Sequence, residues 1–335
     1  MNAKANSKKQ SAFSARISGI TKNFPEAGVL LVLIVLVCLF SIIANNFLTA
    51  NNLINIARQI TEVSIAAIGM TFVIITGEID LSPGSIYGLS AALCAFMLHD
   101  GMAPIIAVPI TLVLCACIGL ISGLFVTQMR VPAFIITLCI QMIARGAVYI
   151  ITGGASISRF PTTDNWFFKL GGKVGGVVPV QIFIMIALII IFAIILKSTR
   201  FGFKIYAIGG NIRAAEVSGI NTKRTKVTAF ILSAVLSAVS GLISLAYLKS
   251  LYPTAGSGKE MDIVAACILG GTALSGGTGT IVGTLIGAAI IGIIRNALVL
   301  LGVDTYFQEA TVGLVILVGV CVDTIIKRRS ASRLS

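Results

Sequence analysis

The chain has 335 residues, 57% of them hydrophobic and only 11% charged, yet its formal net charge is +13. A soluble globular domain carries about 25% charged residues, so this chain cannot coat a soluble surface, and the same apolar excess excludes intrinsic disorder. At roughly 20 apolar residues per crossing, the composition predicts an all-α polytopic membrane protein with about ten transmembrane helices, because the apolar runs are continuous rather than alternating as a β-barrel requires.

Residues 1–26 form a basic amino terminus, with Lys4, Lys8, Lys9, Arg16 and Lys22 against Glu26. They do not read as a cleaved signal peptide, since a long apolar run follows with no small-x-small site to close it. A transmembrane region is expected over 27–326. Its first crossing runs near 27–44 and its second near 60–76. The segment Gly77–Gly84, with two acids and a proline, separates the second from a third that ends before His99. A fourth covers about 105–126, and a fifth runs from Pro132 to about Thr152. A glycine-rich polar connection, 153–176, leads to a sixth at 178–196. The basic segment 197–226 precedes a seventh at 227–248. The next apolar run, 263–271, is short and ends in glycines, so it either spans or re-enters. A ninth crossing ends near Gly302, and a tenth covers about 310–326 before the basic tail 327–335.

The positive charge sits almost wholly in 1–26, 197–226 and 327–335. Ten crossings from an inside amino terminus put all three on one side and make both termini cytoplasmic, as the positive-inside rule demands. In a soluble protein such a balance would suggest nucleic acid; here it orients the chain in a lipid bilayer, and nucleic acid is not an expected partner. The acid pair Glu78/Asp80 then falls at the inner face and Glu260/Asp262 at the outer face. A five-plus-five inverted repeat would produce that arrangement, and so would two unrelated acid pairs at helix ends.

Several motifs carry little chemistry. The seven cysteines all lie in apolar runs without a Cys-x-x-Cys, and His99 is the only histidine, so no metal site is expected and the cysteines read as small hydrophobes. Gly256-Ser257-Gly258-Lys259 lacks the Ser/Thr and the first glycine of a phosphate loop. The glycines from Gly277 to Gly283 lie in no βαβ context and fit close helix packing. No catalytic set and no cofactor are expected.

Acids and bases next to apolar runs are costly and face protein or water-filled space. Asp80 and Ser82 precede Pro83 as a helix cap would; with Glu78 they either order this break or line a solute path. Gln141 and Arg145 are four apart and share a helix face. Asn296, beside Arg295, raises the same choice between path lining and structural pairing. In 197–226, Gly209-Gly210-Asn211 is a turn signal, Ile212–Val217 can form a short helix, and Ser218-Gly219 can end it. That helix either docks a soluble partner or belongs to a solvated loop.

Taken together, these segments resemble the inner-membrane permease subunits of bacterial ATP-binding-cassette importers for ribose, galactose, xylose and related monosaccharides. The matching residues are Gly77 to Gly84, Arg200-Phe201-Gly202 through Asn211, Ser218-Gly219-Ile220, Pro253 to Gly256, Glu260-Met261-Asp262 and Leu269 to Gly279. The resemblance implies a non-enzymatic transport subunit, two permease copies forming the path, a separate cytosolic ATPase and a periplasmic sugar-binding protein. It also implies that Gly209, Gly210, Asn211, Arg213, Ala214, Ala215 and Gly219 belong to the ATPase-coupling loop. Arg213 stands where that family's Glu-Ala-Ala pattern has glutamate. An ion-coupled secondary transporter of a small polar solute is the alternative.

Overall fold

The structure, a computed structural model, describes residues 26–304, 307–314 and 317. Helix α1 (Ala27–Ile43) is followed by α2 (Ala50–Ile75), α3 (Pro83–His99), α4 (Pro104–Gln128) and α5 (Ala133–Thr152). A one-turn helix, α6 (Trp166–Lys169), and an antiparallel hairpin of β1 (Lys173–Val174) and β2 (Val178–Pro179) occupy the polar connection. Then come α7 (Val180–Ser198), α8 (Arg200–Gly210), α9 (Ile212–Val217), α10 (Thr222–Leu248), α11 (Lys259–Leu269) and α12 (Ile281–Leu300). Residues 307–314 are helical as well. The rest of the expected tenth crossing, Cys321, the basic tail and residues 1–25 lie outside the described residues.

Six helices, α2, α4, α5, α7, α10 and α12, are long and apolar enough to cross a membrane. Helices α1 and α3 have 17 residues each, and α11 has 11. At 1.5 Å per residue α11 rises roughly 16 Å, about half of a ~30 Å hydrocarbon core.

Two helices begin well before their apolar runs. Helix α2 starts at Ala50 rather than Ile60, taking in the polar residues Asn52, Arg58 and Gln59. Asn52 is buried there because its amide donates to the Phe47 carbonyl at 2.9 Å and pairs with Asn296. Helix α10 starts at Thr222, where Asn221 accepts a capping bond from the Arg224 amide at 2.9 Å.

Helices α2 and α10 form the enclosed centre. Both are largely buried, whereas α4, α5 and α7 turn apolar side chains such as Val113, Ile143, Ile150, Ile190 and Ile194 outward. That is the surface expected against lipid tails. Small residues bring the helices together. The Gly119-x-x-x-Gly123 step of α4 lies against the backbone of Phe230, Ile231 and Val227 on α10, where any Cβ would collide. Gly283 of α12 abuts the Gly270 carbonyl, in keeping with the close helix packing expected of this glycine run. Of the described cysteines, Cys94, Cys115 and Cys267 are buried, but Cys38, Cys117 and Cys139 lie on the outer surface. An apolar exterior makes the outside of this bundle as suitable for a thiol as its core.

The two ends of the bundle differ. At one end Lys226 Nζ contacts Glu78 Oε1 at 2.5 Å, Lys223 donates to Gln128 at 3.2 Å, and Thr280 donates to Glu26 at 2.7 Å. This end carries α8 and α9. At the other end Ile157 and Leu251 form an isolated antiparallel bridge, and the α6–β2 segment covers α10.

Candidate functional site

At the basic end, α7 turns sharply at Thr199, whose side chain caps α8 by accepting from the Gly202 amide at 3.3 Å. Asn211 then caps α9 by accepting from the Ala214 amide at 3.1 Å. Gly219, at φ 80°, ends it in the left-handed region. Helix α9 is exposed apart from Ala215, which is 4% exposed. Val217 is 91% exposed and Ile212 41%, so this helix leaves two apolar side chains uncovered. Glu216 accepts from Thr222 at 3.0 Å, tying α9 to the start of α10.

The last turn of α8 meets the interior. The Gly277 amide donates to the Ile75 carbonyl at 2.9 Å. Gly209 lies so close to both that a Cβ there would collide with the Ile75 carbonyl and the Gly277 amide. The loop bearing α9 is therefore in backbone contact with the end of α2 and with the glycine loop between α11 and α12.

At the opposite end a cavity of about 430 Å³ opens between α2, α3, α10, α11 and α12. Its charged lining is Arg58, Glu62, Lys259, Asp262 and Arg295, with Tyr87 between them. Lys259 Nζ donates to Glu62 Oε2 at 2.6 Å, and Tyr87 Oη donates to the same oxygen at 2.9 Å. Arg58 Nη1 lies 3.6 Å from Glu62 Oε1, one helical turn away. Arg295 Nη2 donates to Asp262 Oδ1 at 2.7 Å. Lys259 also lies 4.6 Å from the Tyr87 ring centroid, and Arg58 lies 4.4 Å from that of Tyr247. These cations are anchored on carboxylates and aromatic faces, which is how charge survives partial burial.

The residues singled out as path candidates fall into three places. Asp80, 1% exposed, accepts from the Ser82 amide at 2.9 Å, the Ser82 hydroxyl at 2.6 Å and the Ser233 hydroxyl at 2.9 Å. It orders the turn before α3 and ties that turn to α10, while Glu78 pairs with Lys226 at the basic end. Gln141 donates to Glu260 Oε1 at 2.9 Å, and Arg145 Nη1 donates to the Ala255 carbonyl at 2.7 Å, so α5 is fastened to the approach to α11. Asn296 exchanges side-chain amide bonds with Asn52 at 3.0 and 2.9 Å. Glu78, Asp80, Ser82, Gln141, Arg145 and Asn296 are all outside the cavity lining. Sequence reasoning passed over Glu62 and Tyr87 and weighed Lys259 only as part of an incomplete phosphate loop. A lone acid within a span was the available signal for Glu62.

A family model described as "Branched-chain amino acid transport system / permease component" matches residues 52–320. The ribose import permease protein RbsC of Escherichia coli (strain K12) is 42% identical over 298 residues, covering 88% of this chain and 92% of that protein. The ribose import permease protein RbsC of Bacillus subtilis (strain 168) is 42% identical over 301 residues, with 89% and 92% covered. The probable ABC transporter permease protein YphD of E. coli (strain K12) is 37% identical over 313 residues, with 93% of each covered. No solved structure matches the chain. With the family model matched over residues 52–320 and ribose import permeases 42% identical over about nine-tenths of each chain, the chain belongs to the family of membrane permease components of ABC transport systems that includes the ribose import permeases.

Proposed function

We propose that this permease moves a ribose-like monosaccharide into the bacterial cytoplasm, energised by ATP hydrolysis in a separate subunit. The observation that carries the reading is the 42% identity to two ribose import permeases over about nine-tenths of each chain. The permease supplies the path and no catalysis. A second copy, or a related permease, completes the path across the inner membrane, and a periplasmic binding protein delivers the sugar.

The reading assigns ten crossings with both termini cytoplasmic. Its support is the alternation of the helices: the bonds from Glu26, Glu78, Gln128 and Lys223 gather at the end that carries α8 and α9. Helix α11, with the glycine loop that follows it, makes the eighth passage. A basic cytoplasmic end agrees with the positive-inside rule.

Helix α9 is the ATPase-docking element in this reading, with Gly209, Gly210, Asn211, Arg213, Ala214, Ala215 and Gly219 forming its frame. Closure of the ATPases would push α9, and the contact of Gly209 with Ile75 and Gly277 would carry the push into α2 and the α11–α12 loop. Rocking of these helices around a central path is alternating access. Gln141 and Arg145, half-buried on α5, are the candidates for the shared path. Glu78, Asp80, Ser82 and Asn296 act there by positioning helices.

Reconstitution with its ATPase and binding protein tests the reading. ATP-dependent uptake of labelled ribose, galactose or xylose is expected. Uptake driven by an ion gradient without ATP overturns it in favour of a secondary transporter. Deleting Ile212–Gly219 should abolish ATP-driven uptake and leave the helical content intact; normal uptake after that deletion removes the docking role.

A further inference from the structure

The cavity at the end opposite α9 is built within one copy of the chain. Its volume of about 430 Å³ is in the range of small-molecule sites. Its polar groups are unequally satisfied. Glu62 receives bonds from Lys259 and Tyr87, and Asp262 receives one from Arg295. Arg58 donates no hydrogen bond among the described residues: its closest carboxylate oxygen is 3.6 Å away, although its side chain is only 20% exposed. Arg295 uses one donor, and its side chain is 27% exposed.

A guanidinium has five N–H donors and keeps its charge. The Nε atoms of Arg58 and Arg295 are enclosed without a partner among the described residues, and the remaining free N–H groups border the cavity, where a ligand rich in acceptors can take them in place of water. Gln59, Ser250 and Thr254 border the same space, and their side chains make no hydrogen bond among the described residues. Each can both donate and accept.

We propose that this cavity is a binding station for one neutral polyhydroxylated ring, held by the unused donors of Arg58 and Arg295 and by Gln59, Ser250 and Thr254. The proposal rests on the reading of the chain as a monosaccharide permease and deepens it: each permease of a pair has its own station on the way to the path. Hydroxyl groups donate and accept, which matches a lining of both kinds. An anion would use the guanidiniums but lie beside the Glu62 and Asp262 carboxylates, and a cation would meet three positive side chains.

The test is uptake by the reconstituted complex, with binding protein loaded with labelled D-ribose and present in excess. Arg58→Met leaves Glu62 bonded to Lys259 and Tyr87. It should lower the uptake rate by about tenfold, the effect of losing one or two charge-assisted hydrogen bonds. Arg58→Lys should recover part of the rate. Arg295→Lys keeps a cation against Asp262 with fewer donors and should lose several-fold. Size-exclusion chromatography of each variant with its ATPase separates lost binding from failed assembly. Unchanged uptake in an assembled Arg58→Met complex overturns the station. If Arg58→Met does not assemble, unchanged uptake in Arg58→Lys and Arg295→Lys overturns it equally. Wild-type complex that hydrolyses ATP but carries none of ribose, galactose or xylose overturns the monosaccharide reading instead.

Discussion

Lys259 and Glu62, 197 residues apart in sequence, meet at 2.6 Å between Nζ and Oε2. The contact joins the first turn of α11 to the middle of α2. It turns the one superficial phosphate-loop match in the chain into a structural ion pair: Lys259 has no nucleotide to hold, because its charge is committed to a carboxylate. The Tyr87 hydroxyl binds the same oxygen, so α2, α3 and α11 converge on a single carboxylate.

Breaking that convergence should be expensive. Glu62→Gln leaves the half-buried Lys259 and Arg58 without their shared carboxylate, and losing such charge-assisted contacts costs about 1.5–3 kcal/mol. The double variant Glu62→Gln/Lys259→Met should cost less than the sum of the two single changes, because each has already removed the other's partner. Thermal unfolding of the detergent-solubilised protein measures this. Strictly additive losses would mean that the pair is not coupled.

Gly209 and Gly210 are neighbours with opposite expectations. A methyl at Gly209 strikes the backbone of Ile75 and Gly277, whereas Gly210 has open space beside it. Gly209→Ala should destabilise by about 1–3 kcal/mol through overpacking and impair ATP-driven uptake. Gly210→Ala should be neutral or slightly stabilising, since alanine favours helix. Equal effects at the two positions would contradict the contact with Ile75.

Asp80 is a test of turn ordering against path lining. It accepts three hydrogen bonds, two from Ser82 and one from Ser233. Asp80→Ala leaves those donors unmatched in a buried place and should cost about 2–3 kcal/mol. Uptake should then fall in step with the amount of folded protein in the membrane. Normal folding with abolished uptake would return Asp80 to the solute path.

The uncovered Val217 of α9 should matter only in the complex. Val217, 91% exposed, contributes little within the chain, so Val217→Asp should leave the melting temperature of the isolated permease within about 1–2 °C, as surface changes do. Co-purification with the ATPase should drop sharply. Retained co-purification places the ATPase contact elsewhere.

The match between sequence and structure is uneven for physical reasons. Helix α9 follows from the order of Asn211, Ile212–Val217 and Gly219 alone, because capping and glycine termination act within a few residues. Helix α2 is longer than its apolar run because Asn52 is solvated by Asn296 from a distant helix, a partner that local hydropathy does not register. The short α11 was ambiguous in the sequence for the same reason: glycines that weaken an isolated helix are those that allow close contact with α12.

What the sequence determined by itself is the class of molecule, the order of its apolar helices and the segregation of its positive charge. These depend on composition and short-range periodicity, which a linear reading contains in full. What the tertiary structure decided is which polar groups meet. Glu62 with Lys259, Asp80 with Ser233 and Asn52 with Asn296 are separated by 197, 153 and 244 residues. Each is brought together by helices packed through small residues in an apolar surround, where a buried polar group must find a partner or remain costly. That requirement, applied across the bundle, is what gathers five scattered charges around one cavity.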